Sequence, residues 1–203
     1  MKGVFIVLEG PDKSGKSTQA HLLARHLRAK GLPFLHTREP GGTSFAEAVR
    51  RVVLNRRLRV DPLAELLLYE AARAQHTSEK LRPALAEGKT VISERYTLAT
   101  LAYQGYARKL SLPLIRRLNR IATGGLKPDL TIVLDIPEKE FGTRDMGRKL
   151  DRLESEPSDF RRRVRDGYRS LARREPGVVL VNGRLGVEEV RRRILRKVEP
   201  LLR

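Results

Sequence analysis

Residues Gly10-Pro11-Asp12-Lys13-Ser14-Gly15-Lys16-Ser17-Thr18 fit the spacing G-x-x-x-x-G-K-S without a mismatch. Glycines at the two fixed positions let the backbone turn tightly, so that successive N–H groups point inward at phosphate oxygens, backed by the positive end of the following helix. At these positions Lys16 reaches β- and γ-phosphates and the Ser17 hydroxyl can ligate Mg²⁺. The stretch follows a short apolar run and precedes a helical pattern, the context this motif requires and a chance glycine turn would not supply. A nucleoside triphosphate, ATP or GTP, with Mg²⁺ is the ligand implied. No cysteine is present, which excludes disulfides, thiolate metal sites and thiol nucleophiles. The four histidines, His21, His26, His36 and His76, lack metal-protease spacing, so a metal held by imidazole is not expected.

The elements that position these residues are legible as alternating patterns. Apolar runs at 4–8, 90–93, 130–134 and 178–181, with a weaker one at 33–37, read as strands. All but the weak one are nearly continuous rather than alternating, as expected of strands covered on both faces. Leu22, Leu23, His26 and Leu27 share a helical face before a stop at Gly31, and Asp61-Pro62 is a strong helix start. Strands separated by helices predict βαβ units: a P-loop α/β fold of three layers, a five-stranded parallel sheet with helices on both faces. Ligands of such sheets bind beyond the carboxyl ends of the strands, so chemistry is expected at 9–18, 38–43, 94–104 and from Asp135 toward Glu154.

The chain has 203 residues, 42 Lys and Arg against 24 Asp and Glu, a formal net charge of +18. With 40% hydrophobic and 33% charged residues it is too apolar for a disordered basic tail and too charged for a membrane protein. One folded domain over 1–203 is expected, in a cytoplasmic setting and without a membrane span. The charge calls for an anionic partner: nucleotides, nucleic acid or acidic lipid. Arginine runs at 161–163, 173–174 and 191–193 read as solvated helix faces, with a nucleic-acid-binding P-loop protein as the alternative.

No Asn-Lys-x-Asp stretch reads a guanine base, and the chain is short for a helicase, which leaves a small-molecule kinase as the leading class. Further motifs narrow it: Arg38-Glu39-Pro40-Gly41-Gly42-Thr43, Glu94-Arg95-Tyr96, Ala102-Tyr103-Gln104-Gly105 and Asp151-Arg152-Leu153-Glu154. In that order, with the phosphate loop and a helix around 66–73, the sequence resembles the bacterial thymidylate kinase family over 4–168.

The resemblance implies ATP-dependent phosphorylation of dTMP to dTDP, with Mg²⁺, by a homodimer whose contact face is the helix at 61–88. It implies that Gly10 to Thr18 hold the ATP phosphates and that Ser17 and Glu94 serve the metal. Tyr69 matches the aromatic that stacks on thymine, and Arg73, four residues on, the residue that bonds the base. Arg95 and Arg38 match arginines of the acceptor phosphate, suited to it by paired donors, while Thr100, Tyr103 and Gln104 match the base and sugar wall. Asp12 matches a carboxylate near the acceptor sugar and the metal, and an Asx-type turn role is compatible with that.

The charge on the moving phosphoryl group is expected to be met by Lys16 and Arg95, together with Lys13 from the loop or Arg144, Arg148, Lys149 or Arg152 from a lid at about 141–153. The sequence leaves open which of these basic residues does so. Because the acceptor oxygen is already anionic, no general base is needed. Glu94 and Ala99 stand where relatives usually carry Asp and Ser, and Pro11 where a small or aliphatic residue is usual. These departures bear on substrate preference, and a kinase of the same fold for another nucleoside monophosphate is the alternative.

Overall fold

The computed structural model describes residues 3–143, 147 and 150–202. Strand β1 (Phe5–Glu9) leads through the phosphate loop into α1 (Lys16–Ala29) and β2 (Phe34–Arg38). Helices α2 (Ser44–Val53) and α3 (Pro62–His76) follow; α3 continues through a widened turn (Thr77–Leu81) into α4 (Arg82–Ala86). After β3 (Thr90–Glu94) comes α5 (Thr97–Thr100), continued by a second widened π-type stretch (Leu101–Ala107). The remainder is α6 (Leu112–Thr123), β4 (Leu130–Asp135), α7 (Glu140–Thr143), α8 (Ser158–Arg174), β5 (Val178–Asn182) and α9 (Val187–Val198).

The five strands form one parallel sheet in the order β2-β3-β1-β4-β5. Connections run to opposite sides of β1, which opens a crevice at the carboxyl ends of the central strands. Alternation along β1 builds the two faces. Ile6 and Leu8 pack with Leu23 and Leu27 of α1 and Ile194 of α9, while Phe5 and Val7 face Leu81 and Tyr96. On the latter side Val133 meets the larger cluster of Leu66, Leu101, Ile115, Phe160 and Tyr168.

Each expected strand is present and ends one residue further toward its carboxyl end; β1 and β2 also start one residue later than expected. The edge strand β5 is covered less fully than expected: Val181 is buried, Val178 and Val179 are partly buried and Leu180 is exposed. The Asp61 start holds: its carboxylate accepts from the backbone N–H groups of Leu63 and Ala64 at 2.8 and 3.4 Å, with Pro62 in the first turn. Among the described residues no helix is long and apolar enough to cross a membrane.

Candidate active site

The phosphate loop leaves β1 at Gly10, whose φ of 132° excludes ordinary side chains and whose added Cβ would lie 2.4 Å from the Leu134 carbonyl oxygen. Lys13 and Gly15 also have positive φ, which curls the loop before α1 starts at Lys16. The Lys16 ammonium lies inside the curl, donating to the carbonyls of Gly10 at 3.0 Å and Pro11 at 2.6 Å. Burial and the nearby Arg95 push its pKa down to about 7, against the pull of Asp12, Glu9 and Glu94. Ser17, at the start of α1, donates to Glu94 Oε2 at 2.5 Å. Burial works against the charge of Glu94, yet hydrogen bonds from His36 and Ser17 hold its carboxyl below the usual range.

A wide cleft runs along this loop, bordered by Asp12 through Thr18, Arg38, Arg50, Glu94 and Arg95. Beside it lies a pocket of about 460 Å³ lined by Asp12, Tyr69, Arg95, Thr100, Tyr103, Gln104 and others. Asp12 and Arg95 belong to both. Two anion-friendly spaces thus share one wall.

Arg95 is the centre of that wall. Its backbone sits at φ 71°, strained for a side chain of its size, directly after β3. Its guanidinium donates to the Gly10 carbonyl and the Tyr168 hydroxyl, both at 3.1 Å, to the Tyr103 hydroxyl at 3.2 Å, and to Asp12. Asp12 also accepts from the Tyr103 hydroxyl at 2.7 Å. Burial would raise the Asp12 pKa, but Arg95 and Lys16 hold it below the usual range. Beneath them Glu9, fully buried, accepts from the Tyr168 hydroxyl at 2.8 Å and the Tyr96 backbone N–H at 2.7 Å; desolvation raises its pKa.

The expected base and sugar wall is helical and buried. Thr100 ends α5, and Tyr103 and Gln104 belong to the widened stretch after it, whose backbone bonds reach from Arg108 N–H back to the Tyr103 carbonyl. Gln104 donates to Glu65 Oε1 at 2.7 Å. Tyr69 lines the pocket from α3, but Arg73, one turn on, does not. It lies beneath the floor at 1% exposure, donating to Glu39, Glu70, Thr100, Asn119 and the Tyr96 carbonyl. The spacing of four puts both on α3, but Arg73 is turned by two buried carboxylates into the protein; a bond to a base edge requires one of these donors to be released.

Arg38 borders the phosphate cleft, half-exposed and paired with Glu47 at 3.1 Å. The Lys13 ammonium lies over the Phe141 ring, 4.1 Å from its centroid, while the residue also borders the cleft. Among the lid basics, Arg152 is directed away from the phosphates: it donates to Glu65 at 2.6 Å and to the Val53 carbonyl. Arg144, Arg148 and Lys149 lie outside the described residues.

Sequence reasoning missed Arg50, which borders both spaces and donates to the Pro40 carbonyl at 2.9 Å; burial and Arg38 lower its pKa. Its signal was the phase of α2, where Ala46, Val49 and Val53 mark the buried face and Arg50 flanks it. Glu9 and Tyr168 were missed as well, since nothing local in the sequence links residues 159 apart.

A thymidylate kinase family model matches residues 8–194. A thymidylate kinase of Pelotomaculum thermopropionicum is 49% identical over 180 residues, covering 87% of this chain and 83% of that protein. One from Caldanaerobacter subterraneus is 43% identical over 204 residues, covering 100% and 98%. The crystal structure of thymidylate kinase from Ehrlichia chaffeensis superposes with a TM-score of 0.81 at 31% identity, over 98% of this chain and 99% of that one.

Proposed function

The chain belongs to the thymidylate kinase family, and from that premise we infer that it transfers the γ-phosphoryl group of ATP to dTMP, forming dTDP. The observation that carries the reading is the shared wall: Arg95 and Asp12 border both the phosphate cleft and the pocket containing Tyr69, Thr100, Tyr103 and Gln104. Donor and acceptor phosphates bound on the two sides of that wall are brought toward one another, and alignment is most of what this reaction requires.

The loop residues 10–18 hold the ATP phosphates by backbone N–H groups, and Lys16 leaves the loop carbonyls for the β- and γ-phosphate oxygens. Arg95, with Arg38 and Arg50 behind it, takes the dTMP phosphate. Tyr69 covers the base, with Thr100 and Gln104 at its edge, and Tyr103 with Asp12 meets the sugar. Ser17 and the ionised Glu94 offer adjacent hard oxygen donors at the start of α1, a set that suits Mg²⁺. Charge on the β- and γ-phosphoryl oxygens is neutralised by Mg²⁺ when it is bound. The reading includes one domain over 1–203 with a closing lid at about 141–153, part of which lies outside the described residues; that Phe141, Asp151 and Leu153 line the adjoining pockets supports it. The working protein is a cytoplasmic homodimer, joined through the exposed apolar side chains of α2 and α3.

The test is ADP release with dTMP, dUMP, dCMP, UMP and AMP as acceptors. Selective stimulation by dTMP is expected, and no preference for it would refute the substrate. Lys16→Ala should abolish turnover with the fold intact by circular dichroism; retained turnover would remove its phosphate role.

A further inference from the structure

Glu94 is the residue at which this chain departs from the Asp usual in its family, and its extra methylene has a visible destination. The strand pair β2 and β3 aligns Arg38 with Glu94, so His36, two residues earlier, projects from the same face of the sheet. Helix α1 crosses that face and brings His21 to the same spot. His36 Nε2 lies 3.0 Å from Glu94 Oε1, and the two imidazole rings are 4.9 Å apart and perpendicular. One ligand atom from each of His21, His36 and Glu94 lies within 4.8 Å of the other two.

We propose that His21, His36 and Glu94 form a binding site for a divalent transition ion of the zinc class at the rim of the phosphate cleft. Two imidazoles and one carboxylate are a ligand set that suits zinc, nickel or cobalt and not magnesium, which prefers oxygen donors throughout. In a tetrahedral zinc site the ligand atoms stand roughly 3.3 Å apart, given bonds of about 2.0–2.1 Å. The His36–Glu94 pair, at 3.0 Å, is close to that separation, the ion taking the place of the proton that His36 Nε2 shares with Glu94 Oε1, and the ligand atom of His21, exposed on α1, lies within 4.8 Å of both.

The surrounding hydrogen bonds prepare the ligands. His21 Nδ1 lies 2.6 Å from the Ser17 carbonyl oxygen, which only accepts, so the proton sits on Nδ1 and the Nε2 lone pair is left to bind. The second Glu94 oxygen accepts from Ser17 at 2.5 Å, which fixes the carboxylate and leaves Oε1 for the ion. His21 and Glu94 border the cleft beside Lys16, so a fourth coordination position opens toward the triphosphate. Spacing along the chain gave no sign of the site, because its members come from a helix and two strands.

The experiment is titration of the full-length, chelator-treated protein with Co²⁺, followed by visible absorption, and with Zn²⁺ by calorimetry, both without nucleotide. One equivalent of Co²⁺ with the intense bands of four-coordinate cobalt is expected, and His21→Ala and His36→Ala should each weaken binding by at least about tenfold. Absence of stoichiometric Co²⁺ binding by the unsubstituted protein, or unchanged spectra in both variants, would overturn the site. Melting temperatures of the variants establish that they fold, and His21→Ala alters only an exposed side chain. dTMP phosphorylation with Mg²⁺ and ATP by the same preparations reports the proposed family reaction separately, so absence of cobalt binding by the unsubstituted protein with intact turnover refutes the ion site alone.

Discussion

Lys16 illustrates how a single side chain is tuned by its surroundings. Its ammonium is buried among loop carbonyls with a depressed pKa of about 7, so near neutral pH the unliganded protein holds it only partly protonated. A bound triphosphate favours the charged form, and ATP binding should therefore take up protons: little below about pH 6 and approaching one proton above about pH 8. Calorimetry in buffers of different ionisation enthalpy measures this uptake, and Lys16→Met should eliminate its rise with pH. The folded-state pKa lies below the ordinary Lys value of 10.5, so between about 7 and 10.5 the unfolded chain binds more protons and this group's contribution to stability grows with pH. Arg73 presents the opposite case. Truncation to Ala would strand Glu39 and Glu70, both nearly fully buried, and should cost about 3–5 kcal/mol in urea unfolding. A loss under about 1 kcal/mol, with the defect confined to the KM for dTMP, would instead make Arg73 a direct base contact.

Among the elements, the strands show what a hydrophobic criterion can and cannot read. Each expected strand stops one residue short, and the omitted residues are Glu9, Arg38, Glu94, Asp135 and Asn182, polar every time. Burial of apolar side chains defines the interior of a parallel strand, but its last residue emerges at the ligand edge, where polarity is required. The phosphate loop was legible because its whole geometry is local. Arg50, Glu9 and Tyr168 were not, because their roles come from elements distant in sequence. The 101–107 stretch, with Gly105 and few aliphatic residues, is helical and carries Tyr103 and Gln104. Its wider turn presents adjacent residues to the pocket, a common use of such irregularities at functional sites.

Across the whole molecule, the arginine-rich helices answer part of the +18 charge with local partners. Asp135 holds Arg165 at 2.6 Å, Glu138 holds Arg161 at 3.0 Å, Asp159 takes Arg162 and Arg163, and Glu188 and Glu189 pair with Arg191 and Arg193. Such solvent-accessible pairs contribute little to stability and serve mainly to order the surface. The other unbalanced feature is apolar: Phe45 and Val52 on α2 and Leu63 and Leu67 on α3 are between 44% and 50% exposed. As the faces of two packed helices they are the surface through which the proposed homodimer would join. Light scattering should give twice the chain mass, and Leu67→Asp should halve it without lowering helicity; a monomeric unsubstituted protein would refute the interface.

The wall that Arg95 builds has one more consequence. Its guanidinium grips the Gly10 carbonyl of the phosphate loop, Asp12 in the wall common to both spaces, and the hydroxyls of Tyr103 and Tyr168. Neither nucleotide can rearrange this hub without altering what the other meets, so the two affinities are thermodynamically linked and the linkage is reciprocal. A non-hydrolysable ATP analogue should change the Kd for dTMP by the same factor by which dTMP changes the Kd of the analogue. Calorimetric titrations in both orders measure that factor, and Arg95→Lys, which keeps the charge but not the fan of donors, should bring it toward one.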